Sequence, residues 1–160
     1  MDVDSLTREG ENNMGRATHF SGLNVAPLAV TDAATNSILA TNSGRVHIIP
    51  DLTADCTFTL PAAEAGCRIE LLYGGAAADA QDWIINTAAT TSLFKGGVTH
   101  LDSDAGSAGD EVVPVYADAT DDDTFTVLTP EAGTMVTLIS DGTHWYVNGV
   151  VVSASAPTFA

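Results

Sequence analysis

Residues 135–152 read Met-Val-Thr-Leu-Ile-Ser-Asp-Gly-Thr-His-Trp-Tyr-Val-Asn-Gly-Val-Val-Val. Two apolar runs flank Asp141-Gly142, a dipeptide that readily takes the positive φ angles of a tight primed turn. The pattern predicts a β-hairpin, with Met135 to Ser140 returning as Trp145 to Val152. Upstream, Cys56-Thr57-Phe58-Thr59-Leu60 sets apolar side chains on one face and threonines on the other, as a half-buried antiparallel strand does. The same period of two marks Val46 to Ile49, Arg68 to Tyr73, Asp82 to Asn86, Val112 to Tyr116 and Thr124 to Leu128. Glycine and proline punctuate the chain at short intervals, and no long helical stripe appears. The expectation is an all-β protein, an antiparallel β-sandwich or jelly-roll-like module.

A chain of 160 residues suits one domain. Residues 21–152 hold the strand patterns. Residues 1–20 mix charges, Asn and Gly with single apolar residues and read as an extended N-terminal arm. Residues 153–160, small side chains with Pro157 and Phe159, read as a C-terminal tail, either disordered or laid along a neighbouring subunit. A faint repeat is present: Glu64-Ala65-Gly66 before one strand matches Glu131-Ala132-Gly133 before another. That suggests two related halves, although one pair is too few for a solenoid.

Five basic residues against 21 acidic ones leave a net charge of −16, and Lys95 is the only lysine. Phosphate binding draws its affinity from basic side chains, so nucleic acid is not an expected partner. The same charge repels itself within a compact state unless salt screens it, and the Debye length falls to about 3 Å at 1 M salt. A lysine-poor chain rich in Asp, Ala, Thr and Val therefore fits a high-salt setting, the alternative being an ordinary acidic surface. The N-terminus lacks the apolar core of a signal peptide. No apolar run approaches the roughly 20 residues that cross a bilayer, so no membrane partner is expected.

The acidic segments raise the question of calcium, which takes six to eight oxygens from carboxylates and carbonyls. Asp102, Asp104, Asp110 and Glu111 in one segment, and Asp121, Asp122 and Asp123 in another, are the candidate ligands. Neither segment has calcium-loop spacing: after Asp102 and Asp104 the next ligand position falls on Gly106. Solvated loop charge is the plainer reading. His19, His47, His100 and His144 stand singly, and Cys56 and Cys67 match no zinc spacing. Two buried thiols are the default for the cysteines, since a Leu60–Cys67 hairpin register would leave the sulfurs apart. No Gly-x-Ser-x-Gly elbow and no phosphate loop occurs. Trp83 and Trp145 each enter an apolar strand, which favours core packing over stacking on a sugar. No catalytic residue and no cofactor are expected.

The runs Phe58 to Gly66, Arg68 to Tyr73, Phe94-Lys95-Gly96-Gly97 and Val136 to Gly149 together resemble a β-rich module of tailed-virus structural proteins, among them head decoration proteins and tail-fibre domains. The likeness spans roughly residues 44–150. It implies a compact β module that assembles as an oligomer, commonly a trimer, on the exterior of a virion after synthesis in the host cytoplasm. A decoration (cement) protein stabilises the head shell and has the major capsid protein as its partner. In that setting Leu6, Arg8, Met14, Arg16 and Phe20 would carry the capsid contact of the arm. The alternative is a receptor- or glycan-binding module of a fibre, spike or turret, contacting sugars through the acidic loops.

Overall fold

The computed structural model describes residues 26–76, 78–104, 112–118 and 120–160. Along most of the longer strands, residues alternate between core and surface. Arg68–Tyr73, for example, buries Ile69, Leu71 and Tyr73 and turns Arg68, Glu70 and Leu72 outward. A strand with one apolar side needs a second layer to cover it, and the chain supplies one by crossing between two sheets.

The first six strands alternate between the layers. β1 (Leu28–Ala29), β3 (Val46–Ile49) and β5 (Arg68–Tyr73) lie side by side in one sheet, all parallel. β2 (Thr35–Ser37), β4 (Cys56–Thr59) and β6 (Trp83–Asn86) do the same in the other. This part of the chain is three flattened coils. β7 (Phe94–Asp102), β8 (Val112–Tyr116), β9 (Thr124–Val127), β10 (Met135–Ser140), β11 (Trp145–Ser153) and β12 (Thr158–Phe159) follow. Sheet A runs β1-β3-β5-β10-β11-β7-β8, and sheet B runs β12-β9-β6-β4-β2.

The all-β sandwich is as expected, but its sheets are mixed where antiparallel pairing was expected. Among the described strands, β1–β3, β3–β5, β2–β4, β4–β6 and β7–β11 pair in parallel. One-sided alternation is common to both kinds of pairing, so it could not discriminate between them. Connection length does: residues 50–55, 60–67 and 74–82 are too long for tight hairpins, and each carries the chain to the opposite layer. β4 and β5 therefore belong to different sheets, and the hairpin considered for Cys56 and Cys67 does not form.

The hairpin 135–152 forms as predicted, with Ser140 opposite Trp145 and Gly142 at φ +98°. The Glu-Ala-Gly repeat is also structural. Gly66 (φ +84°) and Gly133 (φ +103°) sit in matching turns, closed by Cys67 N–H to Glu64 O and Thr134 N–H to Glu131 O, each at 3.0 Å. This is the type II geometry that favours glycine at the third position. The strands that follow, β5 and β10, are antiparallel neighbours, so the two units face each other head to tail.

The core between the sheets is aromatic at both ends. Trp83 meets Tyr73 at 6.0 Å and Phe58 at 6.4 Å between centroids, and Trp145 is equally buried, as the sequence pattern suggested. At the other end, Phe159 stacks on Phe125 at 4.4 Å and 14°. That stacking accounts for β12: the last residues, expected as a tail, instead pair with β9 of their own chain. Two aromatic faces in contact offset the entropy of ordering so short a strand.

β7 is the longest strand that the sequence pattern missed, because Gly96-Gly97 reads as punctuation. Here the glycines permit close approach. A Cβ on Gly96 would lie 2.5 Å from the Val147 carbonyl oxygen, and one on Gly97 would lie 2.3 Å from that of Val115. Gly149 on β11 is as constrained, with the Met135 oxygen 2.2 Å from a Cβ position. Backbone cannot swing aside as a flexible side chain can. Gly149→Ala should therefore lower unfolding free energy by about 1–3 kcal/mol in urea titrations followed by circular dichroism; an unchanged midpoint would contradict this packing.

Candidate functional site

Carboxylates dominate the sequence, yet the fold keeps them off its broad surfaces. Of the described Asp and Glu residues, only Glu70 and Asp102 lie within strands. The others occupy loops, where many accept backbone N–H bonds. Asp79, 4% exposed, takes Leu52 N–H at 2.9 Å and Gln81 N–H at 3.1 Å. Asp82 takes Thr129 N–H at 3.0 Å, Asp55 takes Asp82 N–H at 2.9 Å, and Asp32 takes Thr53 N–H at 3.1 Å. Much of the acidity thus holds turns together, a role that short carboxylate side chains fill well.

The candidate cation ligands separate into three places. Asp102 and Asp104 form a local turn, with Asp104 N–H donating to Asp102 at 2.9 Å. Asp123 receives the Thr124 hydroxyl at 3.1 Å. Asp121 gathers with Asp118 and Asp122, their carboxylate oxygens within 4.8 Å of one another. Asp110 lies outside the described residues. Glu111 lies outside them too. Sequence reasoning named Asp121 and Asp122 but not Asp118, whose only signal was its nearness to them in the chain. The backbone N–H of Thr120, at 2.8 Å, holds Asp118 below the usual aspartate range. One oxygen from each of three carboxylates falls short of the six to eight that calcium takes, and among the described residues no further His, Cys, Asp or Glu joins the group.

Leu6, Arg8, Met14, Arg16 and Phe20 also lie outside the described residues. Of the described histidines, His47 and His100 are buried. His47 Nδ1 lies 3.3 Å from Glu70 O, His100 Nε2 lies 3.0 Å from Ser153 O, and burial lowers the pKa of His47. Cys56 and Cys67 are free, buried thiols in different parts of the core. Burial pushes Cys56 up, against a 3.2 Å bond from Asn36 Nδ2, which makes it a poor nucleophile. A cavity of about 190 Å³ opens between β1 and β2, its lining divided between apolar residues such as Leu28, Ile38 and Phe58 and polar ones such as Asn36, Asn42 and His47.

What the fold does assemble is a pair of broad faces. On the outer side of sheet A, the pairings Ala29–Ile48–Leu72–Met135–Val150–Thr99–Pro114 align one residue from each of seven strands. Beside them runs Val152–Leu101–Val112. Further along, Arg68–Ile139–Tyr146–Lys95 crosses four strands. Met135 is 39% exposed, Val112 67%, and Tyr116 on the same edge 71%. The outer side of sheet B is polar but uncharged: Thr35–Thr57–Ile84–Thr126–Thr158 and Ser37–Thr59–Asn86–Thr124. Threonine suits a solvated strand, whereas a continuous apolar row on the outside of a sheet is unusual for a surface left in water.

Compared with known protein families and with curated sequences, the chain matches none. The likeness to tailed-virus structural proteins therefore stands on the quoted residues alone.

The hairpin turn offers a clean titration. His144 N–H at 2.7 Å and Thr143 N–H at 2.8 Å hold the Asp141 carboxyl below its ordinary range, and its bond from Tyr146 raises the tyrosine. A carboxylate depressed on folding contributes stability above its unfolded pKa, near 3.9, and loses it as pH falls through the folded value. Wild type should accordingly exceed Asp141→Asn in stability at pH 6, and the gap should close below about pH 4. A gap that stays constant between pH 6 and pH 2 would refute this account of the turn.

Proposed function

We propose that this chain is a non-catalytic structural protein of a virus particle, a decoration (cement) protein that binds the exterior of the head shell as an oligomer, most simply a trimer. The observation that carries this reading is the partition of charge. In a chain of net charge −16, both broad faces are nearly free of carboxylates, while the acidic loops hold turns together. A surface meant to stay solvated at that charge would spread its charges over the sheets, whereas faces without charge can be covered at little desolvation cost. Attachment through many symmetric copies turns a modest contact into tight retention.

The partner under this reading is the major capsid protein, reached through the N-terminal arm and one broad face. The chain is made in the host cytoplasm and ends on the capsid exterior. Its acidity supports life in concentrated salt, where screening relieves self-repulsion. The threonine rows of sheet B favour one second reading, a glycan-binding module of a fibre, spike or turret, because ordered hydroxyls match the chemistry of sugars.

Purified chain added to heads of the encoding virus that lack it should co-sediment in a fixed ratio to the major capsid protein. Deletion of residues 1–20 should reduce that ratio, and no co-sedimentation of the full chain would overturn the proposal. Specific binding on a glycan array, with none to heads, would favour the second reading. Raising salt from 0.1 M to 1 M should also raise the melting temperature, as the screening length falls from about 10 Å to about 3 Å.

A further inference from the structure

The outer face of sheet A is large enough for a stable contact. Seven strands about 4.8 Å apart span roughly 29 Å, and successive outward rows lie about 6.7 Å apart, so four rows cover a footprint of roughly 600 Å². Side-chain relief brings this close to the ~800 Å² that each partner contributes to a standard interface. Of its two central rows, one is apolar at Leu72, Met135 and Val150, and the other, Val46–Glu70–Thr137–Asn148, is mainly polar. Its rim holds Arg68 and Lys95, two of the three described cationic side chains, and Arg45 stands just before β3 with its guanidinium on Ala26 O at 2.8 Å. Arg68 reaches Glu70 at 3.4 Å, and among the described residues Lys95 has no ion pair.

Two cations along one edge of a face that is otherwise short of charge call for an acidic partner, and this chain, at net charge −16, is itself one. We infer that a second copy of this chain covers the outer face of sheet A, seating apolar side chains over Leu72, Met135 and Val150 and setting loop carboxylates against Arg68 and Lys95. The two patches in such a contact differ, so the contact is head to tail, and in the trimer of the proposed function it closes into a ring. The cationic rim would then fix orientation and partner choice more than affinity. The inference rests on the self-assembly part of the proposed function and is independent of capsid attachment.

Sedimentation velocity over a range of protein concentrations tests it. Wild type should sediment as an oligomer. The double variant Met135→Asp, Ile139→Asp should weaken association at least about 30-fold, while Thr57→Asp, Thr126→Asp on sheet B should leave it unchanged. A milder probe guards against misfolding. In Met135→Cys the new thiol should react more slowly with an aqueous thiol reagent than the one in Thr57→Cys, and dilution should remove the difference; Cys56 and Cys67, both buried, stay silent. A wild type that is monomeric at every concentration would overturn both this face and the self-assembly reading. An oligomer indifferent to the sheet A substitutions, with Met135→Cys as reactive as Thr57→Cys, would overturn the face alone. Co-sedimentation of the double variant with heads reports on capsid attachment separately.

Discussion

Most strands of this protein turn an apolar side inward, and the architecture follows from having to cover it. A coil that returned to its own sheet would leave that side in water; a coil that alternates between sheets brings Phe58, Trp83 and Ile85 of one layer against Ile49, Leu71 and Tyr73 of the other. Fully burying a side chain of this size contributes about 1.5–3 kcal/mol, and the gain is shared along both layers. The loops then have only to turn corners. Short aspartates serve that purpose because one carboxylate satisfies two or three backbone N–H groups that a corner would otherwise leave unpaired.

Much of this organisation was legible in the residues. The hairpin around Asp141-Gly142 and the strands 46–49, 68–73, 112–116 and 135–140 declare themselves because alternation and turn chemistry agree there. Three features were hidden, each for a physical reason. Parallel pairing was invisible because alternation reports which side of a strand is buried and says nothing about the direction of its neighbour. β7 was masked because Gly96-Gly97 serves close backbone approach at a position where glycine more often breaks a strand. β12 was masked because two residues carry no period, and its anchor, Phe125, lies far off in sequence.

The surface was less legible than the core. Composition reveals how much acid the chain carries, but only the fold shows that the acid gathers at the corners while Leu72, Met135 and Val150 line up outside sheet A. Those three come from separate strands and from positions that read as ordinary solvent-side residues in each local pattern. Their alignment is a property of register, which short-range periodicity does not encode. The candidate ligands show the converse: Asp121 and Asp123 are two residues apart, yet Asp121 gathers with Asp118 and Asp122 while Asp123 receives the Thr124 hydroxyl.

The three parallel coils end differently on their two sides. At one side, β9 and β10 run counter to β6 and β5, which reverses the chain polarity that another coil would need to match. At the other, β1 and β2 are stubs of two and three residues beside an open cavity. Among the described residues, the stack thus has one capped side and one open side. Fibrillar growth by repeated coil addition is barred at the first and finds only a minimal template at the second, so a fold built like a fibre segment keeps a finite length.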